Sequence, residues 1–192
     1  MTGVLEGAKV AFLVANEGVE QVELTVPWDA VTKAGGHPVL VAPAAGEVQA
    51  MNHLDKGRRF AVDRRTGEAS ADEFDAVVLP GGVANPDQLR MDLPAIEFLK
   101  AIFAAGRPVA VICHGPWSLV EADLVHGRTL TSWPSLQTDI RNAGGSWVDV
   151  EVQVCRDGPN ILVSSRMPDD LPAFCVEMTR AFANLTDEAR AS

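Results

Sequence analysis

The chain is predicted to fold as an α/β domain with a mainly parallel central sheet and helices on both faces. Three observations predict it. Val10-Ala11-Phe12-Leu13-Val14-Ala15 and Pro108-Val109-Ala110-Val111-Ile112 are short apolar runs without polar interruption, which suits strands buried on both faces. From Val10 to Ala42 a strand, a helical pattern and a second strand follow one another, the order of a βαβ unit. The 192 residues contain 47% hydrophobic and 22% charged residues, an ordinary globular composition with enough chain for one contiguous core. One domain covering 1–192 is expected, with no internal repeat or linker.

The elements follow in order. After the first run, Asn16-Glu17-Gly18 reads as a polar turn. From Glu20 the apolar residues Val22, Val26, Ala30, Val31 and Ala34 recur with helical spacing, interrupted by Pro27 and stopped by Gly35-Gly36. Val39 to Ala42 is a strand. Residues 44–72 are more polar and read as hairpin strands or an excursion at the sheet edge. Ala76 to Leu79 is a strand ending in Pro80-Gly81-Gly82, and a helix is expected from Pro94 to Ala105. Then comes the run ending at Ile112, a tight Gly115-Pro116 turn and another helical pattern. Thr129 to Thr131 is a short strand, and Ser135 to Ala143 a helix closed by Gly144-Gly145. Trp147 to Val154 alternates, and Ile161 to Val163 answers it after the Asp157-Gly158 turn as a hairpin partner. Leu171 to Leu185 closes the chain as an amphipathic helix.

Charge and cysteine usage narrow the function classes. A formal charge of −10 argues against nucleic acid or an anionic membrane surface as a partner. No stretch approaches the ~20 apolar residues of a membrane span, and no signal-peptide core precedes the first strand; a cytoplasmic protein is expected. Cys113, Cys155 and Cys175 are widely spaced and form no Cys-x-x-Cys pair, which argues against a disulfide framework and a zinc site. No glycine-rich phosphate loop opens a helix. Neither metal nor cofactor is expected.

In sheets of this kind ligands bind at the carboxyl ends of the strands. Three such ends carry unusual residues: Asn16 to Glu20, Pro80-Gly81-Gly82, and Cys113-His114. Cys113 stands where the apolar run stops and a helix begins, where unpaired N–H groups favour a thiolate. His114 is the candidate base. Gly82 is either a plain turn residue or, with the N–H of His114, an oxyanion donor. Glu20 either complements the helix dipole, as first-turn acids do, or hydrogen-bonds the sulfur of Cys113. Glu23 reads as surface or structural. His53 is a weak candidate for lining the cleft, Trp133-Pro134 either shapes a substrate wall or packs, and Cys155 and Cys175 read as buried small hydrophobes.

These segments resemble the PfpI family, within the superfamily of ThiJ/PfpI proteins and class I glutamine amidotransferases. The resemblance rests on Ala15-Asn16-Glu17, Val19 to Leu24, Phe74 to Gly82, Val111-Ile112-Cys113-His114-Gly115-Pro116, Arg141 to Gly144 and Ser164 to Leu171, and it runs nearly end to end. It implies a flavodoxin-like three-layer sandwich of the class I glutamine amidotransferase type. Cys113 would be the nucleophile, Glu20 its acidic partner and His114 the base, with Gly82 and His114 supplying oxyanion donors. The resemblance also implies an acid after the Pro-Gly-Gly loop that orients the His across a subunit boundary; its nearest match is Asp87, in a loop one residue longer and with Asp for Glu. A homodimer or hexamer would follow. No histidine follows His126, so the His-x-Glu pair of a glutamine amidotransferase is missing.

The function so implied is a stress-related, cysteine-dependent hydrolase of deglycase or glyoxalase type, acting on small carbonyl compounds or on glycated protein or peptide. An intracellular cysteine peptidase is the alternative within the same chemistry. A non-enzymatic oxidative-stress sensor or chaperone built on Cys113 is the alternative outside it.

Overall fold

The structure, a computed structural model, describes residues 3–191, with side chains through 183. In chain order the strands are β1 (Lys9–Leu13), β2 (Glu17–Glu20), β3 (His37–Ala42), β4 (Glu47–Asn52), β5 (Asp55–Ala61), β6 (Arg64–Arg65), β7 (Ala76–Leu79), β8 (Val109–Ile112), β9 (Thr129–Leu130), β10 (Ser146–Trp147), β11 (Val152–Cys155) and β12 (Leu162–Ser165). The helices are α1 (Gln21–Lys33), α2 (Ala84–Leu89), α3 (Leu93–Ala104), α4 (Pro116–Glu121), α5 (Gln137–Asn142) and α6 (Leu171–Ala191).

Seven strands form one sheet in the order β11-β12-β8-β7-β1-β3-β6. Every neighbouring pair is parallel except β11 and β12, the antiparallel hairpin. Alternation along the central strands divides the core in two. Val10, Phe12, Val78, Ala110 and Ile112 face α1 and α6, meeting Leu24, Val31, Phe174 and Met178. Ala11, Leu13, Val77, Val109 and Val111 face the other way, onto Phe98, Leu99 and Ile102 of α3 and Ile140 of α5. Each strand residue thus belongs to one of two apolar layers, the reason these runs carry no polar residue. Fully burying a side chain such as Ile112 contributes roughly 1.5–3 kcal/mol. The three-layer α/β sandwich with a mostly parallel sheet is the fold the sequence implies.

Four local features differ from the sequence reading. Asn16-Glu17-Gly18 is no simple turn, because Glu17 to Glu20 form β2 and pair in parallel with β4. Residues 47–61 are indeed a hairpin, yet it joins β2 in a separate three-stranded sheet, and only Arg64–Arg65 extends the main sheet edge. The loop after Gly82 contains α2, a short helix with Pro86 inside it. Farther on, the alternating stretch from Trp147 is broken: β10 pairs with β9, and only Val152–Cys155 pairs with β12.

Candidate active site

β1, β7 and β8 lie side by side at the centre of the sheet, so their carboxyl ends open together at one end of it. There Cys113 follows Ile112 with φ 63°, the left-handed region that a side chain normally avoids at a cost on the order of 1–3 kcal/mol. The surroundings hold it there. Its N–H donates to the Ser165 carbonyl at 3.0 Å, and its carbonyl accepts from the Trp133 N–H at 2.9 Å. Gly115 follows, where an added Cβ would stand 2.7 Å from the Leu79 carbonyl oxygen. Pro116 starts α4, its missing N–H being one that the helix start leaves unpaired anyway. The backbone therefore turns sharply and aims the thiol outward from the strand.

The Pro80-Gly81-Gly82 loop closes over the sulfur. It is anchored by buried Asn85, which donates to the carbonyls of Pro80 and Gly81 and accepts the Ala15 N–H at 2.7 Å. Gly82 has φ 84°, so its backbone N–H, together with that of His114, is directed at the Cys113 sulfur. At Gly81 a Cβ would lie 2.7 Å from both Cys113 Cβ and Glu23 Oε2; only glycine allows this approach.

The acidic partner of the sulfur is Glu23, and this corrects the expectation for Glu20. Glu23 is fully buried, accepts the Gly81 N–H at 2.8 Å through Oε2, and meets the thiol. Its Oε1 has no nitrogen or oxygen partner among the described residues. Glu20 ends β2 at the cap position of α1 without making a side-chain cap; its Oε2 instead accepts the His53 N–H at 3.0 Å. The cause is helical phase. Because α1 begins at Gln21, Glu23 shares the buried stripe with Leu24, Pro27 and Val31, and that stripe faces the sheet end carrying Cys113. Val22 and Val26, which the helical spacing in the sequence put on the apolar stripe, are instead exposed, so the phase of that reading hid Glu23.

Burial pushes the Glu23 carboxyl up to about 8, and the negative charge of Glu20 adds to the shift. Burial, then the Glu23 charge, push the Cys113 thiol above its ordinary range, while the Gly82 and His114 amides pull it down. At neutral pH Glu23 therefore keeps its proton, and so does the thiol. The Glu23 O–H is then a donor to the sulfur, and with the two amides it can support a thiolate once the thiol proton leaves.

His114 lies 3.2 Å from the sulfur through Nδ1. Burial lowers its pKa to about 4, so the imidazole is neutral at pH 7. Its ring stacks on Trp133 at 5.7 Å between centroids and meets Trp117 edge-on at 5.4 Å. Asp87 stands exposed on α2 and makes no hydrogen bond to His114 within the chain, among the described residues. Cys113 and His114 open into a cavity of about 370 Å³ lined also by Glu20, Glu23, Met51, His53, Leu54, Gly82, Trp133 and Pro168. His53 and Trp133 thus line the cleft, as the sequence left open. Cys155 is buried and Cys175 is partly buried against the core; neither borders this cavity. Among the described residues no cluster of three or more His, Cys, Asp or Glu side chains fits a metal ion, and no helix is long and apolar enough to cross a membrane.

Fold and elbow together define a class: α/β sandwiches with a thiol at a strained strand–helix junction, backed by a carboxyl on the neighbouring helix. The chain belongs to the DJ-1/PfpI family, whose model matches residues 8–181. It is 44% identical over 172 residues to a deglycase of Pyrococcus abyssi, covering 90% of this chain and 98% of that one. It is 39% identical over 176 residues to protein/nucleic acid deglycase 2 of Escherichia coli, covering 90% and 96%. The crystal structure of Drosophila melanogaster DJ-1beta superposes with a TM-score of 0.80 at 25% identity, covering 92% of this chain and 91% of that one.

Proposed function

We propose that the protein is a cysteine-dependent deglycase that removes dicarbonyl adducts from amines and hydrolyses the free dicarbonyl. The observation that carries this reading is the thiol of Cys113 at the floor of a small cavity, with Glu23, His114 and two backbone amides around one sulfur. Relatives at this level of identity named as deglycases support the reaction class.

The step follows from the geometry. The thiol proton passes to neutral His114 while the protonated Glu23 carboxyl donates to the sulfur, and sulfur bonds to the aldehyde-derived carbon of the adduct. The carbon–nitrogen bond breaks, and the departing amine takes that proton. The hydrogen on the adduct carbon then moves to the adjacent carbonyl carbon and the hydroxyl proton to that carbonyl's oxygen, leaving a thioester next to a new hydroxyl. Water cleaves it to a 2-hydroxy acid and restores the thiol. The sum is adduct plus water giving amine plus hydroxy acid, so no outside oxidant or reductant is needed. The amides of Gly82 and His114, which face the sulfur, are assigned the oxyanion formed during thioester cleavage.

Peptide hydrolysis would use the same thiol. A cavity of about 370 Å³ overhung by Met51, Leu54 and Trp133 suits a side-chain adduct better than an extended peptide. Asp87 is assigned to the His114 of a neighbouring subunit, which makes the working unit an oligomer. The function is tested by following hydroxy-acid release from methylglyoxal-treated Nα-acetylarginine, with casein cleavage measured alongside. Release by the native protein and its loss in Cys113→Ser are expected; unchanged release in the variant removes Cys113 as nucleophile.

A further inference from the structure

The chemistry at the sulfur leaves one carboxylate of the cavity unused. Glu20 is mostly buried and lines the same cavity as Cys113. Its Oε2 is committed to the His53 N–H, but Oε1 makes no hydrogen bond among the described residues and, unlike Glu23 Oε1, is not sealed from solvent. The residues around it offer no matching cation. No Lys or Arg side chain lines the cavity or lies within ion-pair distance of Glu20 among the described residues. The nearest basic group, His53 Nδ1, is 4.0 Å away on a side chain that is 88% exposed. The other imidazole, His114, is held neutral by burial.

The backbone is arranged to keep this carboxylate in place. His53 sits at the tip of the β4–β5 hairpin with φ 57°, a conformation that turns its N–H onto Glu20 rather than along the strand. Met51, Leu54, Val83 and Trp133 give the cavity its apolar lining. A carboxylate with a free oxygen in apolar surroundings calls for a charged hydrogen-bond donor. Since the protein supplies none, the substrate must. The chain's formal charge of −10 favours the approach of cations in the same sense.

We propose that Glu20 is the recognition carboxylate for a guanidinium group, so that the site prefers dicarbonyl adducts borne on arginine-type side chains. A guanidinium stays charged when one of its nitrogens carries the adduct, because the charge is shared over the others. It can donate to Glu20 while the modified nitrogen presents its carbon to Cys113. The proposal rests on the deglycase reading for its substrate, but its binding half stands without turnover.

The test uses two probes of the same shape, Nα-acetylarginine methylamide and its neutral citrulline counterpart, titrated calorimetrically into the intact protein. The arginine probe is expected to bind at least ten-fold more tightly, and Glu20→Gln is expected to bring the ratio close to one. The glutamine oxygen can still accept the His53 N–H, and an unchanged thermal midpoint verifies that the hairpin tip is intact. Equal affinity for the two probes, no saturable arginine binding, or a ratio indifferent to Glu20→Gln overturns the proposal. In turnover, the same variant should lower kcat/KM for the arginine adduct at least ten-fold more than for free methylglyoxal. Equal losses would place Glu20 in the chemistry instead and overturn it. Failure of the native protein to turn over either substrate would defeat the deglycase reading, and the probe ratio would still decide the role of Glu20.

Discussion

The carboxyl of Glu23 and the sulfur of Cys113 are held against each other by three backbone amides of the surrounding loops: Glu23 takes the Gly81 N–H at 2.8 Å, and the sulfur faces those of Gly82 and His114. This pairing brings two acids into a buried space that disfavours the charged form of either. Its consequences reach both stability and reactivity.

Stability should therefore depend on the Glu23 proton. Its folded pKa of about 8 lies above the ordinary 4.5, so the folded chain binds the proton more tightly than the unfolded one. The corresponding stability is complete below about pH 4.5 and is lost as pH rises to about 8. Each tenfold difference in proton affinity between the two states is worth ~1.4 kcal/mol, so the loss is on the order of a few kcal/mol. Glu23→Gln has no proton to lose, so its unfolding free energy should fall less over this window than that of the native protein. Parallel pH profiles in urea titrations would refute the buried protonated carboxyl.

His114 has the opposite sign. Burial depresses its pKa to about 4 from 6.5, so its stabilising contribution is present above 6.5 and is lost as pH falls towards 4. The imidazole is expected to titrate in NMR with a midpoint near 4, leaving it a neutral acceptor at every pH at which the protein would work. A midpoint at or above 6.5 would make it an imidazolium donor near neutrality and would require another base.

Gly81 tests how closely the loop must approach. A methyl there would meet Cys113 Cβ and Glu23 Oε2 at 2.7 Å and the His114 nitrogen at 2.9 Å, contacts that require the loop or the elbow to shift. Gly81→Ala should destabilise by about 1–3 kcal/mol and reduce kcat/KM at least ten-fold. Gly67→Ala, where a Cβ meets nothing within 4 Å, should change neither. Equal behaviour of the two variants in chemical denaturation and turnover would show that the loop is not close-packed on the thiol.

Much of this arrangement is legible in the chain, and what is not has specific causes. Val109 to Ile112 betray a strand buried on both faces because each residue enters one of two apolar layers, and Cys113-His114-Gly115-Pro116 marks the elbow by its own turn chemistry. Glu23 is hidden behind Glu20 because three residues on a helix amount to most of a turn, and a shift in where α1 begins decides which acid faces inward. That start depends on β2, whose pairing partner β4 lies some thirty residues away and leaves no local pattern. α2 is six residues long, too short for helical spacing to show. Asp87 is the limiting case, since the role implied for it depends on a surface beyond its own chain.

Asp87 carries the last prediction. Within the chain it is exposed on α2, and among the described residues the hydrogen-bond partner of the His114 ring is Cys113. If Asp87 orients His114 of a neighbouring subunit, then Asp87→Ala and Cys113→Ser should each be nearly inactive alone, for defects on opposite sides of one interface. Mixing them under conditions that exchange subunits should restore activity. In a symmetric dimer with random exchange, half of the dimers are mixed, and each mixed dimer has one intact site of two, so recovery should approach about a quarter of the native activity. Sedimentation would establish that exchange took place. Recovery near zero despite exchange would confine the site to one chain and leave His114 oriented by Trp133, Trp117 and Cys113.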